Sequence, residues 1–89
     1  MKIVWDEPKR RRNIEIHGFD FADVANFDWH TASVYATYTG ERGDRRFKAV
    51  GLYEGLLVTI VFALLGTEAI SIISFRRSAR KEAKDHDRR

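Results

Sequence analysis

The sequence predicts a small α+β domain: an antiparallel sheet, two N-terminal helices and a C-terminal helix. Three observations carry that expectation. Helix-capping residues are concentrated in the first third, strand-like segments separated by tight turns follow from residue 33 to residue 75, and charged helix formers return at the end. With 89 residues the chain, 1–89, reads as one domain without linker or internal repeat. A domain of this size buries only roughly 60–65% of the surface its unfolded form exposes, so association with a partner is expected.

Lys2–Trp5 reads as a short edge strand. Asp6 is placed to cap a helix whose first turn holds Glu7 and Pro8, both suited to the open N–H groups there. That helix should stop at His17, where Gly18 supplies the left-handed cap. Asp20 opens a second helix, with Asp23 three residues on in a variant of the capping box, and Phe21, Val24, Ala25 and Phe27 as the expected buried side. From Ser33 the pattern alternates, with Val34, Ala36 and Tyr38 on one face and Tyr35 and Thr37 on the other, the period of a strand. Thr39–Arg45, with Gly40 and Gly43, reads as a polar connection. Arg46–Leu52 is the next strand and Glu54–Gly55 a tight turn. Leu56–Leu65 is apolar on both faces, which marks a central strand covered on each side. Gly66–Thr67 turns the chain into a further strand, Ala69–Phe75. Arg76–Asp87, rich in Ala, Arg, Lys and Glu, closes the domain as a helix with Ala79 and Ala83 one turn apart.

Composition removes several classes of chemistry. There is no cysteine, hence no disulfide, thiolate nucleophile or cysteine zinc site. His17, His30 and His86 lie far apart without metal-ligand spacing, so neither a metal nor a cofactor is expected. Asp6 interrupts the N-terminus where a signal peptide needs an apolar stretch. The run Leu56–Leu65 falls well short of the about 20 apolar residues of a membrane-spanning helix. A cytoplasmic protein without membrane contact is the expectation.

Net charge is only +3, but its distribution is uneven. Lys9–Arg12 form one basic block, Arg42, Arg45, Arg46 and Lys48 a second, and Arg76–Arg89 hold seven cations against three acids. Segregated positive charge draws a polyanion, and arginine, which supplies 11 of the 16 cations, can grip a phosphate through two hydrogen bonds. Solvated basic faces are the other account, because charge runs on small domains select nothing by themselves.

Five short segments in order, Trp5-Asp6-Glu7-Pro8-Lys9, Asn13 with His17-Gly18, Phe21-Ala22-Asp23, Gly43-Asp44-Arg45-Arg46 with Gly51, and Ile72-Ile73-Ser74-Phe75-Arg76 with Lys81-Glu82, resemble the successive motifs of BrnT toxins. The resemblance runs nearly end to end. It implies a RelE-like fold and a ribonuclease that arrests translation. It also implies a BrnA-like ribbon-helix-helix antitoxin in a tight toxin–antitoxin hetero-oligomer, which meets operator DNA only through the antitoxin and represses the shared operon. The sequence departs from the pattern at Ile16, where Lys is common, at Asp44, where Glu is, and at Ser71, where Arg often stands. Either activity is weaker than is typical of the family for want of a cation at Ser71, or Arg77 and Arg80 compensate.

Metal-free RNA cleavage must deprotonate a 2′-hydroxyl, protonate the leaving oxygen and stabilise extra charge on phosphorus. Arg46 and Arg76, combining family position with charge, are expected on one side of the sheet with a phosphate between them. His17 is the candidate for proton transfer, or else it simply closes the first helix with its charge at the C-terminus. Glu82 serves as base, orients an arginine, or forms an ordinary intrahelical ion pair. Catalytic candidates are thus His17, Arg46, Arg76 and Glu82. RNA-binding candidates are Lys9, Arg45, Arg77, Arg80 and Lys81. Asn13 either fixes the His17 ring or faces solvent, and Asp44 pairs with Arg46. Among the aromatic residues only Tyr35 and Tyr53 are expected to be exposed, where either could stack on a base. A nucleic-acid-binding module without catalysis and an antitoxin-binding subunit without toxicity use the same basic surface and stand as the alternatives.

Overall fold

The computed structural model describes residues 1–37, 43 and 45–87. One five-stranded sheet runs through them in the order β1-β5-β4-β3-β2, with β1 at Lys2–Trp5, β2 at Ser33–Ala36, β3 at Arg46–Tyr53, β4 at Leu56–Leu65 and β5 at Ala69–Arg77. The run that is apolar on both faces is indeed the central strand, β4. The expectation of an antiparallel sheet needs correction: β1 pairs parallel with β5, Trp5 opposite Ile72, so the sheet is mixed. The chain that follows β1 crosses to the far edge and builds β2, β3 and β4 as a meander before β5 returns beside β1.

Helix α1, Glu7–His17, follows β1 directly. Asp6 caps it by accepting the Lys9 N–H, and Gly18 ends it by donating its N–H to the Ile14 carbonyl. It has no apolar face, and its one buried residue is Asn13. A helix polar all round cannot be held by hydrophobic burial; polar contacts hold this one. The Asn13 side chain donates to the Phe75 carbonyl at 2.8 Å and accepts the Phe75 N–H at 3.2 Å, and it also donates to the Phe19 carbonyl. An amide side chain thus takes the place of a strand partner on the β5 edge beyond the point where β1 ends. Asn13 neither fixes the His17 ring nor faces solvent.

The second N-terminal helix is a six-residue 3₁₀ helix, Phe21–Asn26, not an α-helix. The buried residues Phe21, Val24 and Phe27 recur every third position, and three residues per turn align them in one row on the sheet. An α-helix would fan them apart. Ala25, expected inside, is exposed. With Ala49, Val58, Ile60, Phe62, Ile70, Ile72 and Phe75 this row forms the core on one face of the sheet.

Gly51 is fitted to that core. A Cβ there would lie 2.9 Å from the Phe27 ring and 3.1 Å from the Ala32 Cβ, so only glycine lets the segment after the 3₁₀ helix close onto β3. Between β4 and β5 the register slips: Val61 faces Ser74 but Phe62 faces Ile72, leaving Ile73 as the extra residue of a bulge.

The final helix is shorter than expected. Arg76 and Arg77 belong to β5, and α2 is Arg80–Asp87, lying over the face opposite the core. Tyr38 and Asp44, and most of the Thr39–Arg45 connection including Arg42, lie outside the described residues, as do Arg88 and Arg89.

Candidate active site

Cross-strand register decides which side chains share the face under α2. Tyr35 stands opposite Lys48, Lys48 opposite Val61 and Val61 opposite Ser74. One row along, Val50, Thr59 and Arg76 align; in the other direction Arg46, Ala63 and Ser71 do. Arg46, Lys48, Ser74 and Arg76 therefore point the same way, away from the packed core.

At the centre of this face sits Glu82, whose side chain is only 7% exposed. Arg76 grips its carboxylate with both terminal nitrogens, at 2.7 and 2.8 Å. The Thr59 hydroxyl donates at 3.0 Å, the Ala79 N–H at 2.7 Å and the Lys48 ammonium at 3.4 Å. The Ala79 contact is the reciprocal half of a capping box, made by the third residue of α2. The Arg76 guanidinium above all, with the Ala79 and Thr59 donors, outweighs desolvation and holds the Glu82 carboxyl down to about 2. Glu82 is an ionised counter-charge to Arg76, and its ion pair reaches from α2 to β5 instead of running along the helix.

Arg76 itself keeps unused capacity. Of its five N–H groups two go to Glu82 and one to the Arg77 carbonyl. The Nε–H and one Nη2–H remain. They lie along one edge of the guanidinium plane and form a second fork of the kind that suits a phosphate.

The other sequence candidates spread out around this point. Arg46 shares the face but sits four β4 residues and two strands away, roughly 16 Å at Cα from standard strand spacings, wider than one phosphate. Arg77 faces the other side, opposite Val58, and so cannot stand in for a cation at Ser71. Arg45 is exposed, its guanidinium 5.8 Å from the Phe47 ring at the rim of the packed face. Arg80 and Lys81 are exposed on the first turn of α2. Tyr53 is wedged edge-on between Phe19 and Phe75 and is no stacking platform, whereas Tyr35 is half-buried on the Lys48 face.

His17 and Lys9 lie beside the sheet in an open groove of about 260 Å³. Helix α1 lines one wall with Lys9, Arg12, Ile16 and His17; Ile73 and Ser74 of β5 line the other. Arg10, from the same basic block, is occupied by a two-pronged pair with Asp20 and by Glu7.

Four residues that the structure brings to this region were not among the sequence candidates: Arg12, Lys48, Thr59 and Ser74. The alternation of Arg46 and Lys48 already placed both cations on one face. A lone Thr59 in an otherwise apolar strand had to have a polar partner, because a buried hydroxyl without one is costly. Arg12 stood in the basic block Lys9–Arg12, but nothing local separated it from Arg10 and Arg11, and nothing local marked Ser74.

The molecule is a small basic α+β domain with one sheet face packed and the other carrying cations around a buried carboxylate. The family model described as ribonuclease toxin, BrnT, of type II toxin-antitoxin system matches residues 5–82. The crystal structure of the Brucella abortus ribonuclease toxin, BrnT, is similar at 41% identity and a TM-score of 0.73, covering 90% of this chain and 99% of that one. A comparison with curated proteins finds no match. The chain belongs to the BrnT family of ribonuclease toxins of type II toxin–antitoxin systems. Its substrate is accordingly RNA and an antitoxin is its partner. Among the described residues no helix is long and apolar enough to cross a membrane.

Proposed function

We propose that the chain cuts RNA by metal-free intramolecular transesterification, with Arg76 stabilising the charge that develops on the scissile phosphate. The observation that carries this reading is the Arg76–Glu82 fork, which immobilises a half-buried guanidinium beside α2 and leaves a second pair of N–H groups for the substrate. In the reaction the ribose 2′-oxygen gives its proton to a base and attacks phosphorus. The bond to the 5′-oxygen breaks and that oxygen takes a proton from an acid, leaving a 2′,3′-cyclic phosphate and a 5′-hydroxyl. Glu82 acts through Arg76 and touches no substrate. His17, which lines the adjoining groove, is assigned proton transfer, a role to which an imidazole is suited. Lys48 and Arg46 hold neighbouring phosphates of the strand, and Arg80 and Lys81 on the first turn of α2 extend the basic surface around them, whereas Arg45 and Arg77 are turned toward the packed side and take no part.

Family membership supports the wider reading. RNA cleavage arrests translation in the cytoplasm, and a BrnA-like ribbon-helix-helix antitoxin neutralises the enzyme in a hetero-oligomer. The antitoxin contacts operator DNA and so represses the shared operon. Purified protein incubated with messenger RNA in the presence of a chelator should yield discrete fragments. Arg76→Ala should lower the rate by about 10²-fold or more, the usual effect of removing a charge-stabilising donor. RNA that is retained without fragments would overturn the reading in favour of a binding module. Growth arrest on expression, relieved by the adjacent gene, tests the partner.

A further inference from the structure

We propose that the groove between α1 and the bulged edge of β5 is a nucleotide subsite, in which Arg12 and Lys9 hold the phosphate next to the scissile one and Ile16 and Ile73 pack against its sugar and base. This deepens, and rests on, the ribonuclease reading of the Arg76 face. Four observations converge on it.

Lys9, Arg12 and Ile16 recur at helical spacing along one side of α1 and, with His17, face the groove. Among the described residues Arg10 and Arg11 have carboxylate partners in Asp20 and Glu7, but neither Lys9 nor Arg12 has one, and no carboxylate lines the groove. The charge there has no protein counter-charge among the described residues. The bulge pushes Ile73 into the groove opposite Ile16, which is 66% exposed, so the cations flank a small apolar surface of the kind a ribose and base cover. Finally, Ser74 lines the groove and lies two residues from Arg76 on the same face of β5, roughly 7 Å along the strand, a span that one nucleotide bridges.

The test is fluorescence anisotropy with a short labelled oligoribonucleotide carrying 2′-O-methyl groups, which binds but cannot be cut. Arg12→Glu should weaken binding tenfold or more and raise KM for the cleavable strand with kcat little changed. Arg11→Glu makes the same charge change on a side chain that is 76% exposed and outside the groove, and should change affinity less than twofold. Equal losses in both variants would overturn the subsite, because binding would then follow overall charge. Retained RNA affinity in Arg12→Glu, with lost affinity for a poly-glutamate peptide, would overturn it in favour of an acidic protein partner. Arm by arm the two readings separate: a wild-type protein that cuts nothing but binds the methylated strand through Arg12 keeps the subsite and loses the enzyme, and a protein that cuts RNA with unchanged KM in Arg12→Glu does the reverse.

Discussion

At neutral pH the Glu82 carboxylate is a standing counter-charge for Arg76, and the consequences are measurable. Its folded-state value, about 2, lies below the ordinary 4.5, so the stability it contributes is fully present above that ordinary value and is lost as pH falls toward 2. The amount is on the order of 3 kcal/mol. Urea unfolding of the wild type between neutral pH and pH 3 should show roughly two-thirds of that loss, and Glu82→Gln should reduce the acid dependence by that share. Glu82→Gln should also reduce cleavage while leaving the pH optimum in place, because in the proposed reaction the residue positions a guanidinium and carries no proton. A shifted optimum would return it to the role of base. Arg76→Lys should restore little activity, since an ammonium cannot hold the carboxylate and a phosphate with paired donors at once.

Helix α1 shows at the level of the element what a polar anchor does. Asn13→Ala removes both partners of the Phe75 backbone, and each unsatisfied buried group costs about 1–3 kcal/mol, so a loss of roughly 3 kcal/mol is expected in equilibrium unfolding. Asn13→Asp should lose nearly as much, because a carboxylate cannot donate to the Phe75 carbonyl. The 3₁₀ helix is held in the opposite way, by close packing. Gly51→Ala should lower stability by about 1–3 kcal/mol, the usual cost of overpacking, seen as a reduced melting temperature. The element boundaries at β1, α1 and the Glu54–Gly55 turn could be read from caps and turn residues. The 3₁₀ geometry was also legible in the three-residue spacing of Phe21, Val24 and Phe27, but a capping residue before an apolar pattern suggests an α-helix first. The true end of β5 was not legible, since Arg76 and Arg77 favour a helix locally and are drawn into the strand by Glu82 and the β4 register.

For the whole molecule the modest net charge conceals a strongly divided surface, and that division predicts how binding responds to salt. If Lys9, Arg12, Lys48 and Arg76 each neutralise a phosphate, the logarithm of the affinity for single-stranded RNA should fall with the logarithm of salt concentration with a slope near about −3. Anisotropy of the uncleavable strand over a salt series measures it. A slope close to zero would mean that these cations do not meet phosphates.

Caps, turn residues, the alternation in the strands and the positions of the charges are properties of a few neighbouring residues, and the sequence alone determined them. Which of those charges come together was decided by the fold. Asn13 meets Phe75 across 62 residues and Lys48 meets Glu82 across 34, and such meetings depend on strand order, on the parallel return of β5 beside β1 and on a one-residue bulge. A shift of one residue in any of these pairings turns every side chain of a strand to the other face, so no count of local preference could have assigned Arg76 to Glu82 or separated it from Arg46.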